Sequence, residues 1–259
     1  MEFDNILFEV SPAAVATVTI NRPDNLNALN FATLDELRAA LDKAIERQAR
    51  CLLLTGAGRG FSSGADLAGT GGLPADVGAA LEAHYNPLVE ALFALPMPVV
   101  AAVNGPAAGA GASLALAADI VIAARSAYFL QAFVNIGLIP DAGATWLLPR
   151  LAGRARALEM MMLGERISAE QALDWGMIAR VVDDQDLETE SVALATRLAQ
   201  GPTLAYGLIR KLARDSTQLS LTDALAAERI AQRDAGRTED FKQAVYAFLQ
   251  KRQPTFEGR

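Results

Sequence analysis

An apolar stretch from Pro98 to Ala124, PVVAAVNGPAAGAGASLALAADIVIAA, is the feature that most restricts how this chain can fold. It is long enough to cross a membrane, but Asn104-Gly105-Pro106 interrupts it early and Asp119 lies inside it. Its two ends are short β-branched segments, and the small residues between them favour a helix. The sequence therefore predicts a buried strand-helix-strand unit in a soluble protein, with the cytoplasm as the default location.

The length and composition of the chain set the broad class. Its 259 residues suffice for one large domain or for a domain with a smaller appendage. A net charge of −7 argues against a nucleic-acid surface, which needs clustered lysine and arginine. The single cysteine, Cys51, begins a strand-like segment, so we expect a buried structural thiol. The acidic N-terminal segment does not have the layout of a signal peptide.

The hydrophobic pattern predicts strands and helices in alternating order. Strands are expected at 6–10, 15–20, 51–55, 99–103 and 178–182, with helices at 34–45 and 79–95. Two short helices are expected around Ser168, which opens a sequence resembling a capping box. Helices are expected after Asp183, with a break at Gly201-Pro202, and a mobile glycine-rich loop from Gly69. This order predicts an α/β layered domain over residues 1–200 and a helical C-terminal region over 201–259.

Two glycine-rich turns precede or open helices, GRGFSSGADL at 58–67 and NGPAAGAGASLA at 104–115. Neither contains the Gly-Lys-Ser/Thr of a phosphate-binding loop, and no acidic ribose-binding residue is evident. One interpretation is close packing of backbone against backbone. The other is that each turn directs one backbone N–H at the same point, which creates a two-donor site for an oxyanion. The residues alone do not separate the two interpretations.

A single acid, Asp141, lies in the otherwise apolar segment FVNIGLIPDAGATWLLPR at 133–150. An aspartate before small residues is a good helix N-cap, so one interpretation is that Asp141 caps a helix opening at 142–146. The only histidine, His84, is expected on a helix surface, and the adjacent Tyr85 is a candidate pocket wall.

Five segments together point to a known family: NRPDNLNALN (21–30), GRGFSSGADL (58–67), residues 98–123, IGLIPDAGAT (136–145) and AFLQKRQPTF (247–256). In their order and spacing they resemble the enoyl-CoA hydratase/isomerase (crotonase) family over nearly the whole chain. The resemblance implies a ββα spiral core and a helical C-terminal trimerisation region, in a homotrimer or homohexamer. It also implies acyl-CoA substrates without metal or redox cofactor, coenzyme A being part of the substrate, and no nucleic-acid or membrane partner.

The resemblance also implies site residues. Ala65 and Ala110 match the positions whose backbone N–H groups bind the thioester oxygen, where small residues let substrate and backbone approach closely. Asp66 has a local capping role as its alternative, and Lys251 matches a lysine that reaches a neighbouring subunit's CoA phosphate, or else is an exposed solubilising residue. The residues expected to contact CoA or the acyl group are Ala28, Ser63, Asp66, Leu67, Tyr85, Phe133 and Lys251.

The departures from the family pattern concern the reaction. Ser113 and Phe133 stand where hydratases of the family hold a water between two glutamates, so ordinary hydration is not expected. Asp141 in its IPDAG context resembles a subgroup, the ring 1,2-epoxyphenylacetyl-CoA isomerases of phenylacetate breakdown, as do residues 124–164 and AGR at 235–237. This resemblance favours Asp141 as the catalytic acid/base, which removes a proton from carbon 2 and returns it elsewhere. Its pKa is expected to be raised by apolar neighbours, namely Phe133, Ile136, Leu138, Ile139 and Trp146.

Three alternatives remain open on the sequence. The first is a Δ3,Δ2-enoyl-CoA isomerase that acts on straight chains, and the second is a generic enoyl-CoA hydratase of fatty-acid β-oxidation. The third belongs to a different class, an acyl-CoA-binding subunit that is not catalytic and serves in a larger complex.

Overall fold

The computed structural model describes residues 3–67 and 76–259, so the glycine-rich loop predicted from Gly69 lies mostly outside the described residues. The strands in the described part are β1 (Ile6–Val10), β2 (Val15–Ile20), β3 (Cys51–Gly56), β4 (Val99–Val103), β5 (Pro106–Ala108), β6 (Ile120–Ala124), β7 (Tyr128–Leu130), β8 (Arg166–Ser168) and β9 (Arg180–Val182).

The α-helices of the same residues are α1 (Phe31–Glu46), α2 (Val77–Ala80), α3 (Asn86–Ala94), α4 (Ala110–Leu116), α5 (Ala144–Leu151), α6 (Arg154–Leu163), α7 (Ala169–Asp174), α8 (Leu187–Ala199), α9 (Thr203–Asp215), α10 (Leu221–Ala235) and α11 (Glu239–Leu249). A π-helical turn, Leu81–Tyr85, joins α2 to α3. None of the helices described is long and apolar enough to cross a membrane.

A six-stranded sheet forms the centre of the molecule, with strand order β1-β2-β3-β4-β6-β9. β1 and β2 form the predicted antiparallel hairpin, and every later pair in this sheet is parallel. All five residues of β4 are buried, as expected for a strand with helices or a second sheet over both faces. The apolar stretch at 98–124 is therefore the interior of a globular fold.

A second sheet of three short strands, in the order β5-β7-β8, provides the other wall of the core. The chain enters the large sheet with β4, crosses to the small sheet with β5 and continues into α4. It repeats the same course with β6, β7 and the following helix, which gives a ββα spiral. This path places the start of α4 beside the end of β7, where the Gly109 N–H donates to Leu130 O at 2.8 Å.

Most of the predicted elements are present, and the differences lie in short strands. The strands at 6–10, 15–20 and 99–103 have the expected bounds, and Ser168 caps α7 by accepting from Gln171 N. Two short helices, α6 and α7, flank Ser168 as predicted, but the sequence did not indicate that residues 166–168 form β8 against β7. The helix predicted at 79–95 is interrupted by the π turn. The division of the chain at residue 200 stays a prediction.

Two buried polar groups show how the core is held. Cys51 has no exposed surface, and burial raises the pKa of its thiol to about 12, so the thiol is structural as predicted. Arg210 of α9 is 6% exposed and its Nε lies 2.5 Å from Asp119 Oδ2. It also donates to the carbonyls of Leu92 and Leu95, which ties the C-terminal helices to the end of α3.

Candidate active site

The first part of the site is the peptide unit between Gly64 and Ala65. The Leu29 N–H donates to Gly64 O at 2.7 Å, and Leu29 O accepts from the Asp66 N–H at 3.0 Å. A trans peptide directs its C=O and N–H to opposite sides. Because the Gly64 carbonyl is held by Leu29, the Ala65 N–H points away from Leu29 and out of this small ladder.

Ser62 anchors this segment from behind. Its side chain is fully buried, its hydroxyl donates to Asn27 O at 2.8 Å, and its oxygen accepts from the Gly64 N–H at 3.2 Å. Asn27, also fully buried, donates from its side-chain amide to the carbonyls of Ala57 and Gly60. Two loops distant in sequence are thereby fixed to each other next to Ala65.

An ion pair adds a second tie between the same two loops. Arg22 Nη2 lies 2.8 Å from Asp66 Oδ2, and both side chains are largely buried. Arg22 also donates to Ala28 O. The sequence did not identify Arg22, since a pairing between distant segments leaves no local signal. The residues that Asp66 would cap lie outside the described part of the chain, and the pairing observed is with Arg22.

The second part of the site is the start of α4. Gly109 O accepts from Ser113 twice, from the backbone N–H at 3.1 Å and from the hydroxyl at 3.2 Å. The Gly109 carbonyl therefore points along the helix, and the Ala110 N–H of the same peptide unit points out of the helix N-terminus. The partial positive charge at this end of the helix favours an anion.

These two peptide units lie on backbone segments that touch. Gly64 and Gly109 both have positive φ, +90° and +52°, and a Cβ placed on Gly64 would lie 2.8 Å from Ala108 O and 3.4 Å from Gly109 Cα. A side chain at Gly64 would force the segments apart. Among the hydrogen bonds of residues 3–67 and 76–259, none uses the N–H of Ala65 or Ala110 as donor. Two unused amides beside each other can bind an oxygen that acquires negative charge.

Asp141 lies at the end of an irregular segment that precedes α5. Ala142 and Gly143 follow it with φ of +48° and +84°, and Gly143 occupies the N-cap position of α5. No side chain caps this helix, so the capping interpretation of Asp141 was wrong. Two consecutive left-handed residues turn the backbone before the helix begins, and the aspartate side chain is directed elsewhere. A non-glycine residue in this conformation is strained, a condition that often accompanies functional sites.

The Asp141 carboxyl group has an unusual environment. Its Oδ1 is buried without a hydrogen-bond partner in the described part of the chain, and burial raises its pKa from 3.8 to about 6. Of the apolar residues predicted to surround it, Phe133 is buried, whereas Ile136, Leu138 and Ile139 are 56%, 38% and 78% exposed. Helix α3 packs here instead, with Val89 Cγ1 3.6 Å from the position of a Cβ on Gly143.

Phe133 and Ser113 lie beside the two amides. Phe133 is 8% exposed, and its ring comes within 3.6 Å of a Cβ placed on Gly109. Ser113 is buried one turn into α4 and binds the Gly109 carbonyl. The surface next to the amides thus receives an aromatic ring and a hydroxyl at these two positions. Neither side chain is a base at neutral pH.

The other predicted residues fall at varied depths. Ala28 is buried, Leu67 is 51% exposed, and the Ser63 hydroxyl donates weakly to Asn25 O at 3.4 Å. Lys251 follows α11 with an exposed side chain, and its contact with CoA stays a prediction.

The predictions for the aromatic residues near the site had different outcomes. His84 lies on the π turn with Nδ1 2.8 Å from Asp35 Oδ1, and its ring stacks on Phe31 at 4.3 Å, which confirms a helix-surface residue. Tyr85 beside it is 5% exposed. Trp146 packs edge-to-face against Phe93, and the Arg150 guanidinium lies 4.1 Å from the centre of its ring, so its place beside Asp141 stays a prediction. In the residues described, no group of three or more His, Cys, Asp or Glu side chains is arranged to hold a metal.

Several known proteins are similar to this chain in sequence and in fold. The sequence profile of the family "Enoyl-CoA hydratase/isomerase" matches residues 11–259. A 1,2-epoxyphenylacetyl-CoA isomerase of Escherichia coli (strain K12) is 52% identical over 255 residues, which cover 95% of both chains. A probable enoyl-CoA hydratase of Rhodobacter capsulatus is 46% identical over the full length of both chains. The crystal structure of an enoyl-CoA hydratase from Bacillus anthracis superposes with a TM-score of 0.94 at 34% identity, over 99% of this chain and 100% of that one. The chain is therefore an isomerase-type enzyme with the crotonase fold, and it belongs to the enoyl-CoA hydratase/isomerase family.

Proposed function

We propose that this protein isomerises an acyl-CoA through a thioester enolate, with 1,2-epoxyphenylacetyl-CoA as substrate and the ring-expanded oxepin-CoA as product. The observation that carries the proposal is Asp141, a carboxyl group with a buried, unpartnered oxygen and a pKa of about 6. The 52% identity to a protein named 1,2-epoxyphenylacetyl-CoA isomerase supports the choice of acyl group.

The proposed reaction only redistributes bonds within the substrate. Asp141 takes a proton from carbon 2, and the electron pair of that C–H bond enters the thioester as an enolate. The ring carbon–carbon bond of the epoxide opens to the seven-membered oxepin, and Asp141 returns the proton to a carbon further along the conjugated system. No atom is gained or lost, so the proton transfer itself needs neither a redox cofactor nor a metal. CoA is the part of the substrate through which the enzyme binds it.

The two amides supply the electrostatic part of this mechanism. We assign the N–H groups of Ala65 and Ala110 to the thioester oxygen, which gains negative charge as the enolate forms. The hydrogen bonds to Leu29 and Ser113 fix the peptide planes before substrate arrives. Donors held in advance stabilise the charged state without reorganising, which is where most of the acceleration is expected to arise.

A pKa near 6 suits a group that both accepts and donates one proton. At neutral pH most Asp141 side chains are ionised and able to accept the carbon-2 proton. The protonated form is then able to donate the proton back to the substrate. A single carboxyl group therefore serves both half-reactions.

The CoA portion is assigned to the loops beside Ala65. We propose that Ala28, Ser63, Asp66 and Leu67 line the path of the pantetheine and adenine groups, and that Phe133 packs against the acyl group. The Arg22–Asp66 pair supports this assignment, because it fixes the two loops that would form the path. We propose that Lys251 meets a CoA phosphate of a neighbouring subunit.

A comparison of three thioesters tests the proposed function. The purified enzyme is incubated with the ring-epoxide thioester, a straight-chain 3-enoyl-CoA and crotonyl-CoA, and the products are identified by liquid chromatography and mass spectrometry. We expect oxepin-CoA as the main product and negligible hydration of crotonyl-CoA. Faster turnover of the 3-enoyl-CoA would establish the Δ3,Δ2-isomerase alternative. Tight binding of all three without turnover would establish a non-catalytic subunit.

We also propose that the protein assembles as a trimer or a dimer of trimers through the helices after Gly201. Large apolar side chains on these helices are exposed in the single chain, including Leu221 at 77%, Phe248 at 79% and Leu249 at 71%. Such a surface is typical of an interface. Light scattering at micromolar concentration is expected to give the mass of a trimer or hexamer, and a stable monomer would refute the assembly and the role of Lys251.

A further inference from the structure

Tyr85 is a buried polar side chain that the proposed mechanism does not use. It ends the π turn Leu81–Tyr85, and its side chain is 5% exposed. A π turn adds a residue to the helical cycle and rotates the side chains that follow it, and such turns are frequent at functional sites. The turn therefore changes the direction in which the helix presents Tyr85.

The neighbours of Tyr85 place it against the Asp141 segment. Val89 lies four residues later, on the same face of the helix, and its Cγ1 approaches Gly143. Tyr85 thus lies one helical turn away from that contact, facing the same segment. The pKa of its phenol is raised, first by burial and then by the negative charges of Asp141 and Asp66. The phenol remains protonated at any working pH, so it is a hydrogen-bond donor.

None of the hydrogen bonds in the part of the chain that the structure describes involves the Tyr85 hydroxyl, and its oxygen is not among the fully enclosed unpartnered atoms there, so it borders open space. Buried tyrosine hydroxyls normally find a partner, since an unmet donor costs free energy. Val89, on the same helix face, approaches the segment that follows Asp141, so the open space beside the hydroxyl lies on the side where the acyl group is assigned. The acceptor for the Tyr85 hydroxyl is therefore expected to be an atom of the bound substrate.

We propose that the Tyr85 hydroxyl donates a hydrogen bond to an oxygen atom carried by the acyl group near carbon 2, and so selects oxygenated acyl groups over hydrocarbon ones. The inference rests on the proposed function, in which the ring-epoxide oxygen occupies this place. A hydrocarbon acyl group leaves the hydroxyl unpaired, and sites built to hydrogen-bond a substrate discriminate strongly against analogues that lack the partner.

Binding measurements test this role without requiring turnover. Isothermal titration compares phenylacetyl-CoA with 2-hydroxyphenylacetyl-CoA, whose ring oxygen lies near the epoxide position, for the wild-type enzyme and for Tyr85→Phe. We expect the wild type to prefer the oxygenated ligand by about 10-fold and Tyr85→Phe to lose that preference, as is typical when one buried hydrogen bond is removed. Tyr206→Phe, a change of the same kind in α9, is the matched control and keeps the preference.

Several outcomes would overturn the inference. Equal affinity of the wild type for both ligands excludes a hydrogen bond to the ring oxygen. An equal loss for both ligands in Tyr85→Phe makes Tyr85 a simple wall of the pocket. A shifted pH profile of turnover in Tyr85→Phe, with the preference intact, assigns the hydroxyl to Asp141. The three-thioester comparison is independent of these results, so failure of the proposed function is recognised separately.

Discussion

Replacement of Asp141 by asparagine distinguishes a catalytic carboxyl group from a structural one. A catalytic role predicts a large loss of turnover, whereas a purely structural role predicts little change in turnover. Asparagine keeps the size and the polar character of aspartate but cannot take up a proton from carbon 2. We expect the turnover of the ring-epoxide thioester to fall by ~10²–10⁴, the usual loss when a general acid/base is removed. Substrate affinity should be retained, since it comes from the CoA contacts and the two amides.

The same substitution is expected to stabilise the fold at neutral pH. The raised pKa means that the native state favours the protonated carboxyl, whereas the unfolded chain ionises near 3.8. As pH rises from about 4 to about 6, the unfolded state loses its proton first and the free energy of unfolding falls. At about 1.4 kcal/mol for each pKa unit, the ionised carboxylate lowers stability by at most ~3 kcal/mol above pH 6. Asparagine carries no charge and avoids this loss.

Two assays follow from this reasoning. Turnover is measured by product formation under substrate saturation, and stability by urea denaturation at pH 8 and pH 4.5. The stabilisation of Asp141→Asn should be largest at pH 8 and should shrink toward pH 4.5. Asp174→Asn, at an exposed aspartate of α7, is the control and should change neither quantity. Turnover within a few-fold of wild type would refute the catalytic role, and a variant less stable than wild type at pH 8 would refute the account of its burial.

Three further predictions test the surroundings of Asp141. Hydration of crotonyl-CoA by the wild type, measured as the loss of enoyl-thioester absorbance, should be negligible. The Ser113→Glu/Phe133→Glu double variant should regain little hydration, because Phe133 also shapes the pocket. A wild-type hydration rate equal to that of a dedicated hydratase would contradict this prediction. Gly64→Ala should lower both the turnover and the unfolding free energy. Backbone strain at its positive φ alone should cost at least ~1–3 kcal/mol of unfolding free energy, and the new Cβ would also lie 2.8 Å from a carbonyl oxygen. Gly153→Ala, also at positive φ but with nothing within 4 Å, should cost stability only, and equal activity losses in the two variants would argue against the amide site. Arg210→Ala should lower the unfolding free energy by roughly 1–3 kcal/mol, since it removes a buried guanidinium and leaves the carbonyls of Leu92 and Leu95 without their donor. Urea denaturation unchanged from wild type would show these contacts to be dispensable.

The regular elements could be predicted where the hydrophobic pattern is strong. The strand at 99–103 is a continuous buried run, and the hairpin strands at 6–10 and 15–20 have the expected bounds. The short strands β5, β7 and β8 could not be predicted, because three residues carry no periodicity and their pairing depends on tertiary contact. One of these strands, β8, lies between the two helices expected around Ser168.

The candidate site residues could be named from the sequence, but their geometry could not. Glycine-rich turns and a lone aspartate are visible in the sequence, whereas the contact between the Gly64 and Gly109 backbones exists only in the fold. The capping interpretation of Asp141 was wrong because Ala142 adopts a left-handed conformation, which local sequence disfavours. Arg22 was missed because its partner lies 44 positions away in the chain, from 22 to 66.

The residues at 113, 133 and 141 act together in the proposed mechanism. A serine at 113 holds the Gly109 carbonyl and leaves no charge beside the Ala110 amide, so that amide is free to meet a developing enolate. The aromatic ring of Phe133 lies beside Gly109, where it offers no base to an attacking water. With no second carboxylate at these two positions, the proton taken up by Asp141 has no competing acceptor there. In the proposed mechanism, the raised pKa of Asp141 favours uptake of that proton and its return to the substrate, so the enolate leads to isomerisation and not to addition of water.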